Sequence, residues 1–162
     1  MMIRDATEAD LPGVVAIYNE VIANSTATFT SAAVTVEDRR AWWQARTAQG
    51  YPLLIAHDAD GVAGFATFGE FRAWPGYHFT VEHTLHVRAD ARRRGLGTQM
   101  LQLLLERARL LGKHVMVAGV DGDNAASIRL HERLGFTPAG RLREVGYKFG
   151  RWLDLVFLQR AV

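Results

Sequence analysis

A turn rich in arginine and glycine is the clearest candidate for binding an anion. Three consecutive arginines, Arg92–Arg94, precede Gly95 and Gly97, and an apolar periodic segment follows. Glycine lets the backbone approach a ligand closely because it has no Cβ, and free N–H groups at a helix N-terminus bind phosphate. Arginine adds planar contacts to the same group. The turn therefore predicts a pyrophosphate cradle, and the alternative is a solvated, arginine-rich turn.

Two common phosphate-binding motifs do not fit this turn. A dinucleotide-binding motif requires a third glycine at position 100, where the chain has Met100. A P-loop requires Gly-Lys followed by Ser or Thr after four spacer residues, and the sequence lacks this combination. The pyrophosphate is therefore expected to belong to another kind of ligand.

A carboxylate in the middle of the preceding apolar strand is suited to accept a proton. The strand period of two places Glu82 and Thr84 on one face and His83 on the other. A carboxyl group among apolar neighbours has a raised pKa. A general base of this kind is required when the nucleophile is an amine, because an ammonium group does not attack. The alternative is a structural ion pair between Glu82 and an arginine.

The histidines and the absence of cysteine exclude other kinds of site. His83 and His86 are three residues apart on the strand and point to opposite faces, so one metal ion is not expected to bind both, and no metal is predicted. The chain has no cysteine, which excludes disulfides and a cysteine-linked acyl-enzyme. The sequence also lacks the Gly-x-Ser-x-Gly motif of a serine nucleophile.

The elements that must position these residues follow a mixed α/β order, β-α-α-β-β-β-α-β-α-β. A long strand over 77–87, a helix over 95–111 and a short apolar strand over 114–120 predict a right-handed βαβ unit. A further helix is predicted over 124–134, and residues 146–159 are predicted to form one last strand. The arginine-glycine turn thus lies inside the βαβ unit.

Composition limits the class of protein. The 162 residues are 49% hydrophobic and 22% charged, which predicts one globular domain over residues 1–162. No segment is long and apolar enough to span a membrane, and no secretory signal is evident. A net charge of +2 is too small to indicate a nucleic-acid partner. The composition therefore favours a cytoplasmic enzyme.

Two segments resemble a known superfamily. The pattern Arg92-x-x-Gly95-x-Gly97, followed by an amphipathic helix, resembles the acetyl-CoA signature of the GNAT superfamily of N-acetyltransferases, and segment 124–136 resembles its second cofactor-side segment. The resemblance extends from Ile3 to the end of the chain. It implies a mixed, mostly antiparallel central sheet flanked by about four helices, with a parallel βαβ cofactor unit, and acetyl-CoA as the cosubstrate.

One branch of this superfamily fits more closely. Segments 80–87, 113–119, 127–132 and 146–154 resemble the phosphinothricin and methionine sulfoximine or methionine sulfone acetyltransferases. This resemblance implies acetylation of the α-amine of a small methionine-like or glutamate-like amino acid by a homodimer. Because the chain has no cysteine, we expect direct transfer in a ternary complex.

The resemblance and the residue types together predict the site. Glu82 is the expected base. His131 stands where many superfamily members have the tyrosine that protonates the leaving thiolate, and the alternative for His131 is a packed helix histidine. The expected cofactor-binding residues are Leu85, His86, Val87, Arg92, Arg93, Arg94, Gly95, Leu96, Gly97, Thr98, Asn124 and Ser127. The expected substrate-binding residues are Arg72, Pro75, Gly76, Tyr77, Glu82, His83 and Thr84.

Arg72 is expected to bind the acceptor's carboxylate because a guanidinium group can hold a carboxylate with two hydrogen bonds; the alternative is an ordinary surface arginine. Other functions stay open. They are acetylation of a protein N-terminus or a polyamine, binding of acetyl-CoA without catalysis, and binding of nucleic acid through the arginine cluster. A polyamine site would require acidic residues, which Arg72 does not favour. A surface that binds single-stranded nucleic acid would require aromatic residues interleaved with the arginines, which the sequence lacks.

Overall fold

All seven strands of the protein join one sheet, which four helices flank in a computed structural model that describes residues 1–162. The strands are β1 (Met2–Asp5), β2 (Leu53–Asp58), β3 (Gly61–Glu70), β4 (Thr80–Val87), β5 (Val115–Asp121), β6 (Thr137–Lys148) and β7 (Arg151–Ala161). The helices are α1 (Leu11–Asn24), α2 (Val36–Ala48), α3 (Leu96–Leu110) and α4 (Ala125–Arg133). The strand order is β1-β2-β3-β4-β5-β7-β6. The predicted mixed fold is confirmed. None of the four helices combines the length and the apolar composition of a membrane span.

One pair of strands differs from all the others. Neighbouring strands are antiparallel except β4 and β5, which are parallel and joined through α3, as the predicted βαβ unit requires. Their pairing covers only residues 80–82 of β4 and 115–117 of β5. Beyond Glu82 and its partner Val117, both strands continue without pairing to each other. The sheet is therefore open in its middle.

The two faces of the sheet carry separate cores. On one face, α3 buries Met100, Leu101 and Leu104 against the sheet, because these positions fall on one side of an amphipathic helix. On the other face, the α1 residues Leu11 and Val14 pack with the apolar side chains of β2 and β3. Alternate residues of β4 therefore point to opposite layers, one residue toward α3 and α4 and the next toward α1 and α2.

The end of the chain differs from the sequence prediction. Residues 137–148 form β6, which the prediction of a single last strand over 146–159 missed, and β7 returns antiparallel to it. Phe149 and Gly150 both have positive φ, 54° and 74°, as a tight two-residue hairpin requires. β6 is exposed over most of its length and lacks regular apolar alternation, so its sequence carries little strand signal.

A smaller difference concerns β4. The strand begins at Thr80 rather than at residue 77, because Pro75–Tyr77 form a short 3₁₀ turn. Proline is favoured at the start of such a turn and has no N–H for pairing with a neighbouring strand. The loop before the site is therefore three residues longer than predicted.

Candidate functional site

A cavity of about 290 Å³ lies where β4 and β5 separate. The predicted site residues that line it are Glu82, His83, Thr84, Leu85, His86, Asn124, Ser127 and His131. Glu82 and His83 are neighbours on a strand and point to opposite faces, yet both line this cavity. The cavity therefore passes through the open part of the sheet and reaches both helical layers.

Glu82 contributes its carboxylate to the wall of this cavity from the middle of β4. Its side chain is half-buried, and burial raises the pKa of the carboxyl group, while the charge of Arg72 acts in the opposite direction. The carboxylate extends toward β5, where Gly119 leaves it room: a Cβ on Gly119 would lie 3.1 Å from Oε2 of Glu82. A carboxyl group with a raised pKa at the edge of a cavity is suited to take a proton from an amine.

The edge of β4 that faces β5 offers backbone groups without a strand partner. Arg88 donates its N–H to Ala63 on β3, so alternation along the strand directs the backbone groups of Leu85 and Val87 to the opposite edge. No pairing with β5 occupies that edge beyond Glu82. Leu85 and Val87, two of the predicted cofactor-binding residues, therefore present their backbone to the opening, where Leu85 lines the cavity.

The arginine-glycine turn has the backbone of an anion site. Gly95, at φ 75°, caps α3, and Arg93 also has a positive φ of 63°, which is rare for a residue with a side chain. The first N–H groups of α3, those of Leu96, Gly97 and Thr98, have no acceptor within the helix. A Cβ on Gly97 would touch Leu130 and Leu85 at 3.6 and 3.7 Å. These are ordinary van der Waals distances, so the packing of α3 against β4 and α4 leaves room for a Cβ at this position.

The three arginines of the turn are exposed. Arg92 donates from Nε to the carbonyl of Val87 at 3.2 Å, and Arg94 donates to the carbonyl of Asp90 at 3.1 Å. None of these side chains lines the cavity. The turn thus lies outside the cavity, at the end of β4, where it is suited to hold a phosphate group of a ligand that reaches inward.

The start of α4 positions the two predicted residues Asn124 and Ser127. Asn124 caps the helix and accepts the N–H of Ser127 at 3.1 Å through its side-chain oxygen. One turn later the carbonyl of Ser127 lies 2.7 Å from Nδ1 of His131. The capped end of α4 therefore fixes the ring of His131 at the cavity.

The buried His131 pairs with the half-buried His83. Their Nε2 atoms are 2.8 Å apart and the rings stack at 5.0 Å. Burial lowers the pKa of both, that of His83 to about 3, so both rings are neutral near pH 7. Because Nδ1 of His131 donates to Ser127, its Nε2 accepts the hydrogen of His83. Nδ1 of His83 is then left buried without a partner.

This pairing bears on the predicted acid role of His131. Both ring nitrogens already have partners, and a proton for a thiolate requires hydrogen on Nε2, which now accepts from His83. Donation therefore requires His131 to release His83. The arrangement favours the packed role that was the alternative for this residue.

His86 points to the opposite face from His83, as predicted. Its ring lies 5.8 Å from that of Tyr18 and 5.5 Å from that of Phe65. Burial, and next the charge of Arg92, lower its pKa to about 4. The ring therefore belongs to the core under α1, although His86 also lines the cavity.

The predicted substrate loop lies beside the cavity and is not part of its wall. Pro75, Gly76 and Tyr77 are exposed, and Tyr77 packs on Phe71 at 5.8 Å between ring centres. The Arg72 guanidinium lies over the Phe71 ring at 4.2 Å and donates to the Phe71 carbonyl. Its charge nevertheless acts on Glu82. Arg72 is thus the one residue of this loop with a direct electrostatic connection to the cavity.

Sequence patterns did not indicate several other cavity residues. Arg46 reaches the cavity from α2, and Asp121 lies at the end of β5 and accepts a hydrogen bond from Thr26. Ala27 lines the cavity from the loop after α1. Lys148 holds this loop by donating hydrogen bonds to the carbonyls of Ser25 and Thr28 at 2.6 and 2.9 Å. These residues are far apart in the chain, so no local spacing connects them.

Comparisons with known proteins agree with this geometry. A family model described as acetyltransferase (GNAT) family matches residues 14–136. The chain is 54% identical to the L-methionine sulfoximine/L-methionine sulfone acetyltransferase of Pseudomonas paraeruginosa, over 97% of this chain and 92% of that one. The crystal structure of a ribosomal-protein-alanine N-acetyltransferase from Brucella melitensis matches with a TM-score of 0.98 and 42% identity, covering 100% of both chains.

A third comparison includes the cosubstrate. The phosphinothricin acetyltransferase of Sinorhizobium meliloti, solved in complex with acetyl-CoA, matches with a TM-score of 0.96 and 36% identity, covering 99% of this chain and 88% of that one. Identity above 30% over nearly the whole chain supports more than a shared fold. The chain belongs to the GNAT family of acetyltransferases, as its sequence motifs predicted.

Proposed function

We propose that the protein transfers the acetyl group of acetyl-CoA to the α-amine of a small amino acid such as methionine sulfone, methionine sulfoximine or phosphinothricin. The observation that carries this proposal is the position of Glu82, a half-buried carboxylate with a raised pKa at the opening between β4 and β5. The similarity to relatives named for these substrates supports the choice of acceptor.

The residues present fit acetyl-CoA. The free N–H groups of Leu96, Gly97 and Thr98, with the exposed Arg92–Arg94 beside them, form an anion site for the pyrophosphate. The free edge of β4 from Leu85 to Val87 leads from this turn to the cavity. When bound, acetyl-CoA supplies an activated acetyl thioester. Asn124 and Ser127 border the cavity from the other side of the opening.

Residues of this chain remove the amine proton, stabilise the developing charge and bind the acceptor's carboxylate. Glu82 takes the proton of the acceptor's ammonium group, directly or through one water, so that the amine can attack. The backbone N–H groups at the free edge of β4 hold the thioester carbonyl oxygen as negative charge develops on it. Arg72 holds the α-carboxylate near Glu82. His131 can give a proton to the leaving sulfur only after its Nε2 has released His83 and taken up a second proton, because its other N–H stays bonded to the Ser127 carbonyl.

Acetyl-CoA-dependent release of thiol tests this function. The protein has no cysteine and contributes no background to a thiol reagent. We expect turnover with methionine sulfone, methionine sulfoximine or phosphinothricin, and its loss in Glu82→Gln. Binding of acetyl-CoA without turnover of any amine would contradict the proposal and favour a non-catalytic binding module.

A protein N-terminus is a second candidate acceptor, which the name of the Brucella melitensis relative favours. A peptide beginning with alanine, added to the same assay, separates the two. Turnover of the peptide at a higher kcat/KM than any free amino acid would replace the proposed substrate class.

We also propose that the protein is a homodimer in the cytoplasm, that it binds neither nucleic acid nor membrane, and that it needs no metal. The exposed aromatic side chains of the β6–β7 hairpin support the dimer: Tyr147 and Trp152 are 59% and 63% exposed, with their rings 4.8 Å apart. Light scattering measures the molar mass in solution and so tests for the dimer. A monomer at micromolar concentration, or a dimer that Trp152→Arg leaves intact, would contradict this role of the hairpin.

A further inference from the structure

A second cavity of about 170 Å³ opens beside the first on the α1–α2 face. Both cavities have Arg46 and Thr84 in their walls, and Arg39 and Trp42 enclose the second one from α2. Thr84 lies two residues beyond Glu82 on the same face of β4, about 7 Å along the strand. The second cavity is therefore a side branch of the candidate active site.

Two guanidinium groups in this branch lack carboxylate partners. Neither Arg39 nor Arg46 takes part in an ion pair. Arg46 donates from Nη1 to the hydroxyl of Thr67 at 3.0 Å, and Nε of Arg39 is buried without any partner. A guanidinium group carries five N–H donors. The branch therefore holds more donors than the protein satisfies.

Both side chains are fixed in place. Each guanidinium carbon lies 4.9 Å from the centre of the Trp42 ring, and that of Arg39 also lies 4.7 Å from the ring of Tyr18. The Arg46 guanidinium also fills the space beside Gly69, where a Cβ would come within 2.9 Å of it. Aromatic stacking offsets part of the cost of bringing two cations together. It leaves N–H groups of both side chains without a protein acceptor, and those that border the cavity are open to an acceptor oxygen from a ligand.

The position of the pair within the site indicates which part of the acceptor it meets. Gly69 is the partner of Glu82 across β3 and β4, but the Glu82 carboxylate extends away from it, toward Gly119 on β5. Arg72 is the cation whose charge acts on Glu82, which suits the α-carboxylate next to the amine. Arg46 lies one strand away from Glu82, beside Gly69 and Thr67 on β3. Arg39 stacks on Tyr18, which contacts His86 farther along β4. The end of the acceptor's side chain would reach this pair.

We propose that Arg39 and Arg46 bind the oxygen atoms at the end of the acceptor's side chain and thereby select amino acids with a sulfonyl, sulfoximine or phosphinate group. This inference rests on the proposed amino-acid acetyltransferase function. The ligand class is a polar or anionic oxygen several bonds from the α-amine. Thr84, which lines both cavities, adds a hydroxyl-bearing side chain to the same wall.

Methionine and methionine sulfone make a matched pair of acceptors because they differ only in two oxygen atoms. We expect Arg39→Met and Arg46→Met each to lower kcat/KM for methionine sulfone by about 10- to 100-fold, the effect of losing charge-assisted hydrogen bonds. The kcat/KM for methionine should not change. Arg40→Met is the control on the same helix, because Arg40 pairs with Glu8 at the surface, and it should alter neither acceptor.

The outcomes separate this inference from the proposed function. An equal loss for both acceptors, or no loss for the sulfone, would overturn the role of the arginine pair. If the unmodified protein acetylates neither amino acid, the proposed function is contradicted, and calorimetric titration of methionine sulfone still decides the inference. Binding that Arg46→Met weakens supports it, and binding that stays equal overturns it. An unchanged KM for acetyl-CoA or an unchanged melting temperature shows that each variant is folded.

Discussion

Gly119 makes room for the carboxylate of Glu82 across the opening between β4 and β5. A Cβ at Gly119 would lie 3.1 Å from Oε2 of Glu82, and 3.4 Å from Leu155. Contacts this short require the flexible carboxylate to move. The absence of a side chain on one strand therefore sets the position of the proposed base on the other.

Replacement of Gly119 by alanine should therefore lower kcat more than it lowers stability. We expect Gly119→Ala to reduce kcat by about 10-fold, because a small displacement of a general base costs much of its contribution. Steady-state kinetics and thermal melting measure the two effects. Gly140→Ala is the matched control, since a Cβ there meets nothing within 4 Å. An unchanged kcat in Gly119→Ala would show that Glu82 is not positioned by this contact.

The pH dependence of kcat/KM should report the Glu82 carboxyl group. Burial raises its pKa and Arg72 opposes the rise, so the rate should increase with pH through a pKa above the usual value for glutamate. Glu82→Gln should remove this rise of the rate with pH and lower kcat/KM by roughly 100- to 10,000-fold. Arg72→Met should move this rise to higher pH, because it removes the positive charge that favours the ionised carboxylate. An unchanged pH profile in Arg72→Met would contradict the electrostatic effect of Arg72 on Glu82.

The left-handed backbone of Arg93 predicts opposite effects on stability and binding. A positive φ costs a residue with a side chain about 1 kcal/mol, and glycine avoids this cost. Arg93→Gly should therefore leave the free energy of unfolding unchanged or raise it, while it raises KM for acetyl-CoA several-fold by removing a cation from the turn. Urea unfolding and initial rates test both parts. An unchanged KM would remove Arg93 from the cofactor site.

Buried histidines should make the protein less stable as pH falls below 6.5. Burial lowers the pKa of His83 to about 3 and that of His86 to about 4, from 6.5 in the unfolded chain. In this range the unfolded chain binds protons that the folded protein excludes, so the free energy of unfolding decreases with decreasing pH. His86 alone should account for about 2 kcal/mol between pH 7 and pH 5. His86→Phe should flatten the dependence by that amount, and urea unfolding at both pH values measures it.

Lys148 should affect the KM for the acceptor through the loop that it holds. Its ammonium group donates to the carbonyls of Ser25 and Thr28, and Ala27 between them lines the cavity. Lys148→Met leaves these carbonyls without their donor, which should lower stability by about 2 kcal/mol and raise KM for the acceptor but not for acetyl-CoA. Leu104→Ala, in the core under α3, is the control that lowers stability alone. Equal KM values for the acceptor in both variants would show that the loop does not shape the site.

Local sequence patterns predict the cofactor side of the proposed site. The spacing Arg92-x-x-Gly95-x-Gly97 predicted a turn, a helix start and an anion site, because these depend on neighbouring residues and on helix termini. Alternation along β4 likewise placed Glu82 and His83 on opposite faces. The resemblance to the acetyltransferases rests on the same local segments, and the comparisons confirmed it.

The acceptor side could not be determined in this way. Arg46 and Asp121 reach one cavity from elements that are distant in the chain, and Lys148 holds the loop that brings Ala27 to the same cavity. The strand β6 is exposed and weakly patterned. The contact between His83 and His131 spans 48 residues and changes the role expected for His131. Local patterns record which face of an element a residue occupies, but only packing decides which faces meet. The opening between β4 and β5 is such a result of packing, because it depends on where two parallel strands stop pairing.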